Sequence, residues 1–197
     1  RTVFPGSRTW TATLRSMRGL GKPGLPPQEK VHFTSKVRLA RQLEQPVIEF
    51  TPPALESMPI RTEDVYRVYF HGPAYQVLDR ASVEGDTAIG LLATELPPNT
   101  DPADAASVMA PRLIELCFQT AGVWDIKTTG TMALPLGLQS VTAFKQPAEA
   151  HGNRLYSLVT ALDGGAAFHA LVVDETGLVY VDLKGYRTVD LPGSVTL

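Results

Sequence analysis

Two short segments hold the side chains best suited to chemistry. One is Glu115-Leu116-Cys117-Phe118-Gln119, where a carboxyl and a carboxamide stand four positions apart. On a helix that spacing sends both heads out of the same face of an otherwise apolar cylinder. The other runs from Tyr66 through Arg67, Val68, Tyr69, Phe70, His71, Gly72, Pro73, Ala74 and Tyr75 to Gln76, an aromatic run broken by Gly-Pro. A carboxyl, an amide beside it and an imidazole are the tools of acid–base chemistry, in which one group gives a proton and another takes one. A beta-elimination needs no more than that. The chain offers no Gly-rich nucleotide loop and no clustered metal ligands for other chemistry.

The elements that must carry these residues follow from periodicity and punctuation. A helix is expected over Ala105 to Val123, with Asp104 or Ser107 as N-cap, Pro111 in its early turns and Gly122 near its end. Val108, Leu113, Ile114, Leu116, Cys117, Phe118 and Ala121 cover most of its circumference, so a sheet should enclose it. Around it, strands are expected at Val65 to Tyr69, Ala74 to Val83, Thr87 to Thr94, Leu136 to Phe144, Arg154 to Leu162, Ala166 to Asp174 and Leu178 to Leu183. Glu84-Gly85-Asp86, Asp163-Gly164-Gly165 and Asp174 to Gly177 read as turns between them.

Upstream, Thr9 to Leu14 and Val31 to Leu39 read as strands separated by a Gly- and Pro-rich loop from Gly19 to Pro27. The second alternates, with Val31, Phe33, Val37 and Leu39 on one face and His32, Thr34, Lys36 and Arg38 on a wet one. Thr51 to Pro59 is a linker by composition, its prolines denying backbone donors. The expected division is therefore 1–60, holding accessory strands or part of one domain, and 61–197, holding a complete α+β domain.

Eighteen basic and twenty acidic residues, 19% charged in all, argue against a nucleic-acid surface or a polybasic membrane anchor. No stretch reaches the roughly 20 apolar residues that span a bilayer. One cysteine, Cys117, leaves no internal disulfide, and a cytoplasmic location is the default. Flanked by Leu116 and Phe118, Cys117 reads as a small buried hydrophobe. The first residue is Arg1 rather than Met, as expected of a piece of a longer polypeptide or of a trimmed one.

From about Asp64 to Leu191 the chain resembles the dehydratase domains of modular polyketide synthases and polyunsaturated fatty acid synthases. Those are double hotdogs, each half an antiparallel sheet wrapped around a long helix. Their second half carries Tyr-Gly-Pro-x-Phe-Gln and then Asp-x-x-x-Gln, matched here by His71-Gly72-Pro73-Ala74-Tyr75-Gln76 and by Glu115 to Gln119. The resemblance implies one full hotdog here plus part of another. It also implies elimination of water from 3-hydroxyacyl thioesters tethered to an acyl carrier protein through phosphopantetheine, with no metal and no diffusible cofactor. Implied partners are the carrier protein and other synthase domains, with a homodimer open and no membrane or nucleic acid involved.

In that scheme Glu115 takes the place of the acid that protonates the leaving hydroxyl, one methylene longer than the family's aspartate. Gln119 would orient it. Tyr69, Gly72, Pro73, Tyr75 and Gln76 would line the acyl site, with backbone amides near the turn meeting the thioester carbonyl. His71 stands where the family has tyrosine, so it is either a catalytic base or part of the lining. None of His32, His71, His151 and His169 has the family's His-x-x-x-Gly-x-x-x-x-Pro context. Two other readings stay open: an inactive hotdog acting as a structural, dimerisation or acyl-binding module, and a hotdog thioesterase or product-template-type cyclase. In the inactive reading Glu115 would pair with Arg112.

Overall fold

The structure, a computed structural model, describes residues 8–18, 27–40 and 43–197. The expected Gly19–Pro27 loop lies, apart from Pro27, outside the described residues. Contacts divide the chain into two compact units, Arg1–Glu44 and Gln45–Leu197. Their charges are opposite: nine Lys and Arg against two Asp and Glu in the first, nine against eighteen in the second. The near-neutral total conceals that asymmetry.

The first unit is an antiparallel hairpin of β1 (Arg8–Arg18) and β2 (Gln28–Leu39). Trp10 stands opposite Val37 and Leu14 opposite Phe33, so these four share one surface, while Thr9, Thr11, Lys36 and Arg38 share the other. A bulge then places Val31 opposite Arg15, skipping His32. One extra residue reverses the facing of everything beyond it, so Val31 leaves the face on which strict alternation puts it. Nor is one face dry: Trp10, Leu14 and Phe33 are 55%, 60% and 71% exposed.

In the second unit one long helix lies against an antiparallel sheet. The strands are β3 (Ile60–Arg61), β4 (Leu78–Glu84), β5 (Thr87–Leu92), β6 (Ala133–Gly137), β7 (Ser140–Ala143), β8 (Leu155–Leu162), β9 (Ala167–Asp174) and β10 (Val179–Asp190). They run in the order β3-β4-β5-β8-β9-β10-β6, with β7 also on β10. Helix α2 (Pro111–Thr129) packs Leu113, Leu116, Cys117, Ala121 and Val123 into the main core, against Leu155, Val159, Phe168, Ala170, Val172 and Val181 of the sheet. The alternate residues Tyr156, Val173 and Val179 form a second core on the sheet's other face, with Met58 and Leu91. No described helix is long and apolar enough to cross a membrane.

Several boundaries differ from the sequence reading, each for a local reason. The helix starts at Pro111 rather than Ala105, because the residue before a proline is pushed out of the helical region and Ala110 is non-helical there (φ −88°, ψ 76°). Val108 accordingly lies outside it and 77% exposed. Asp104 and Ser107 do not cap it, and it runs past Gly122 to Gly130, whose left-handed φ of 72° ends it. The expected strand Val65 to Tyr69 is instead a short helix, α1 (Thr62–Tyr66), and the chain turns after it. There the Asp64 carboxylate accepts the Arg61 N–H at 3.1 Å, which favours a helical start.

Pro73 to Tyr75 form a 3-10 turn, so the next strand begins at Leu78 and not at Ala74. The expected Leu136–Phe144 strand is two, β6 and β7, and β10 continues beyond Leu183 to Asp190. Finally, the proline-rich stretch is not a loose linker. Met58 is fully buried, Phe50 meets Tyr156 at 5.4 Å, and Ile48 N–H bonds Gly177 O at 2.9 Å. Residues 45–60 thus pack with the second unit, and the division falls earlier than composition suggests.

Candidate active site

The turn between α1 and β4 crosses the N-terminal half of α2, and the chemistry-bearing side chains meet there. Gln119 is the hub. It is 2% exposed, and every polar group of its amide is used. Its Nε2 donates to Tyr75 O at 2.8 Å and to Glu115 Oε1 at 3.0 Å, and its Oε1 accepts the Tyr66 hydroxyl at 2.6 Å. Tyr66 in turn accepts the Leu78 N–H at 2.8 Å. Burial pushes the Tyr66 phenol well above its ordinary value, which keeps it a donor. The amide is therefore locked in one orientation from both ends.

Glu115 stands at the end of this chain of bonds. Its Oε1 also lies 2.9 Å from His71 Nε2, with the two side chains 21% and 25% exposed. Both contacts go to one oxygen, and among the described residues nothing engages Oε2. The imidazole stacks on Phe70 at 5.5 Å with 4° between planes, while Phe70 itself is 73% exposed. His71 Nδ1 is buried with no hydrogen-bond partner among the described residues. With Nε2–H donated to the carboxyl, a neutral ring has its lone pair on Nδ1.

The structure thus brings Glu115, Gln119 and His71 together. Arg112 is not paired with Glu115: its Nε bonds Ala74 O at 3.1 Å, and a terminal nitrogen bonds Pro97 O. The Arg112–Glu115 pair expected of an inactive hotdog is therefore not formed.

The lining candidates have mixed fates. Tyr69 is buried, and its hydroxyl donates to Gln119 O at 3.1 Å directly over Gly122. Tyr75 N–H and Gln76 N–H close the turn onto Gly72 O and Pro73 O, so these two amides are already occupied. The Gln76 side chain holds His71 O at 3.0 Å, and Tyr75 OH accepts from Asn99 at 3.3 Å. A Cβ on Gly72 would meet nothing within 4 Å, so no crowding demands glycine there. Pro73 opens the turn as its first residue.

Cys117 is 1% exposed and burial pushes its thiol up to about 12, leaving it inert. His169 pairs with Asp182 on the sheet at 2.9 Å, and within the hairpin His32 meets Ser16 at 2.6 Å. Among the described residues no group of three or more His, Cys, Asp or Glu could hold a metal ion. Sequence reasoning gave Tyr66 no role, although it belongs to the aromatic run. Once α1 is helical, that position is the one whose hydroxyl reaches Gln119.

Comparison with known proteins agrees with this architecture. The structure is similar to the dehydratase domain of the CurF module of curacin polyketide synthase, at 20% identity and TM-score 0.66 over 96% of this chain and 66% of that one. It is also similar to a trans-AT polyketide synthase dehydratase domain from Brevibacillus brevis, at 18% identity and TM-score 0.69 over 93% and 65%. A CurK dehydratase variant described as inactive, with histidine replaced by phenylalanine, matches at 15% identity and TM-score 0.63 over 98% and 79%. At these identities the likeness speaks for the fold. The chain spans slightly under two thirds of the first two domains. No curated protein matches it. The family model of the polyketide synthase dehydratase N-terminal domain matches residues 57–195, most of the chain and all of the site above, so the chain belongs to the polyketide synthase dehydratase family.

Proposed function

We propose that the chain is the dehydratase part of a multidomain, cytoplasmic polyketide or fatty acid synthase and removes water from 3-hydroxyacyl thioesters held on an acyl carrier protein. The observation that carries this is the half-engaged carboxyl of Glu115. Oε1 is anchored by two donors, and Oε2 is free to hold a proton and hand it to a leaving hydroxyl.

His71 Nδ1 takes the proton alpha to the thioester, the carbon–oxygen bond breaks, and the hydroxyl departs as water with the Glu115 proton. The electron pair of the lost C–H bond becomes the new double bond. The site then holds an imidazolium beside a carboxylate; the imidazolium loses its Nδ1 proton to water and Glu115 takes one from water, which restores both groups while His71 Nε2–H keeps its 2.9 Å contact with Oε1. Gln119 and Tyr66 hold the carboxyl still throughout. The tether is the carrier's phosphopantetheine, and no diffusible cofactor enters the reaction.

A second reading has a specific observation behind it. Nδ1 is covered in this structure, and unless the arriving substrate uncovers it the imidazole takes no proton, in which case the unit would serve only to hold the acyl chain. Incubation with a 3-hydroxyacyl carrier-protein thioester, read by mass spectrometry for loss of water, separates the two. Dehydration that vanishes in both Glu115→Gln and His71→Phe supports catalysis within this unit. Acyl binding without turnover supports the cradle, release of free acid would indicate a thioesterase, and an aromatic product a cyclase.

A further inference from the structure

Three hydrogen bonds link the start of β4 to the Glu115 carboxyl, and each is donated in the same direction. Leu78 N–H donates to the Tyr66 hydroxyl at 2.8 Å, Tyr66 donates to Gln119 Oε1 at 2.6 Å, and Gln119 Nε2 donates to Glu115 Oε1 at 3.0 Å. A backbone N–H only donates, so the series cannot run the other way. Leu78 opens β4, while β3 pairs only with Arg80 and Ala81 of that strand. The phenol therefore meets a backbone donor that lies beyond the reach of the neighbouring strand.

Tyr66 has one hydroxyl hydrogen, and Gln119 takes it. None is left for a substrate, which places the effect of Tyr66 on any chemistry in the amide it holds. The other end of that amide is keyed by Tyr75 O, which only accepts and takes Nε2 at 2.8 Å. Turned over, the amide would set its oxygen against this carbonyl and against the Glu115 carboxyl. Held as it is, it leaves Glu115 Oε1 receiving hydrogens from Gln119 and from His71 Nε2, 2.9 Å away. A proton carried by the carboxyl then belongs on Oε2.

We propose that Tyr66 is a positioning residue of this site: through Gln119 it keeps Glu115 Oε1 an acceptor, so that the transferable proton sits on Oε2. The use of that proton rests on the dehydratase reading; the direction of the amide rests on the bonds alone. The Tyr66 ring also meets Tyr69 and His71 edge-on, with centroids 6.5 and 6.4 Å away. Phenylalanine keeps these ring contacts, so Tyr66→Phe removes the hydroxyl and little else.

Two measurements on the whole chain test this, and only one of them needs turnover. In nitrogen-15 NMR the side-chain amide of Gln119, identified by its loss in Gln119→Met, should exchange its hydrogens slowly with solvent. Tyr66→Phe should speed that exchange at least about tenfold while the backbone amides of α2 keep theirs. With a 3-hydroxyacyl carrier-protein thioester, Tyr66→Phe should lower kcat by roughly 10- to 100-fold and leave KM nearly unchanged. Gln119→Met should cost at least as much, and adding Tyr66→Phe to it should cost no more, since the two act in one series. Unchanged amide exchange in Tyr66→Phe, a loss that lies in KM, or losses that multiply in the double variant each overturns the proposal. A chain that performs no dehydration but whose Gln119 amide loosens in Tyr66→Phe supports the positioning role and removes the reaction instead. Should circular dichroism show Tyr66→Phe unfolded, Gln119→Met breaks the same series from its other side: a comparable fall in kcat supports the proposal, and full turnover overturns it.

Discussion

Helix α2 carries two carboxyl groups on successive parts of its length, and they have been given opposite environments. Glu115, near the start, is partly exposed, has one oxygen anchored by Gln119 and His71, and keeps the other free. Asp125, near the end, is 5% exposed, and its Oδ2 accepts a single bond from Thr188 at 3.2 Å. Burial first, with Asp190 adding to it, pushes Asp125 up to about 6, and the Thr188 bond only partly opposes this. Burial alone does not make a catalytic acid. What separates the two, on the proposed reading, is a basic partner and an oriented amide, which Glu115 has and Asp125 lacks.

Exchanging each carboxyl for its amide tests that contrast most sharply. If the proposed dehydration holds, Glu115→Gln keeps the shape and removes its proton donor, so turnover of a 3-hydroxyacyl carrier-protein thioester should fall by roughly 10²- to 10⁴-fold. Asp125→Asn should leave turnover near that of the unaltered chain. A reversed result, with Asp125 needed and Glu115 dispensable, would move the acid to the other end of the helix and undo the site assignment.

The same Asp125→Asn change has a larger meaning for stability. An aspartyl group that titrates near 3.8 when unfolded and at about 6 when folded favours the folded state while it is protonated. That contribution is complete below the unfolded value and is lost as pH rises through 3.8 to about 6. Above that window the ionised, buried carboxylate costs roughly 3 kcal/mol, which an asparagine avoids while still accepting from Thr188. The variant should therefore melt higher than the unaltered chain at pH 8 and level with it below pH 4. Equal melting at both values would mean that Asp125 is hydrated after all.

How much of this could be read from the sequence differs between the two elements that build the site. The helix was legible because bulky apolar residues on most sides of Glu115 and Gln119 leave it nowhere to go except inside a sheet, and the i, i+4 spacing then forces the two heads together. The turn opposite was not. Val65, Arg67 and Tyr69 alternate as a strand does, and a helix as short as α1 shows no period of its own; its cause is the Asp64 carboxylate on Arg61 N–H. Reading that stretch as a strand hid both the Tyr66 bond to Gln119 and the approach of His71 to Glu115. The buried 45–60 stretch was hidden likewise, since prolines mark irregular backbone without saying whether it packs.

Gly122 lies between the two carboxyls and offers the finest test of how rigidly their surroundings are kept apart. A Cβ there would come within 2.4 Å of the Tyr69 hydroxyl, which is itself bonded to Gln119 O. Helix propensity alone favours alanine over glycine by about 1 kcal/mol, so an unconstrained Gly122→Ala should raise stability. Overpacking against a fixed tyrosine costs about 1–3 kcal/mol and should win, giving a net loss of about 1 kcal/mol in denaturant unfolding. Tyr69→Phe removes the offending oxygen, so the double variant should recover most of that loss relative to Tyr69→Phe alone. A gain in stability from Gly122→Ala in the unaltered background would show that Tyr69 can move aside. The Gln119 end of the site would then be held by Tyr66, Tyr75 and Glu115, without a ceiling over the helix.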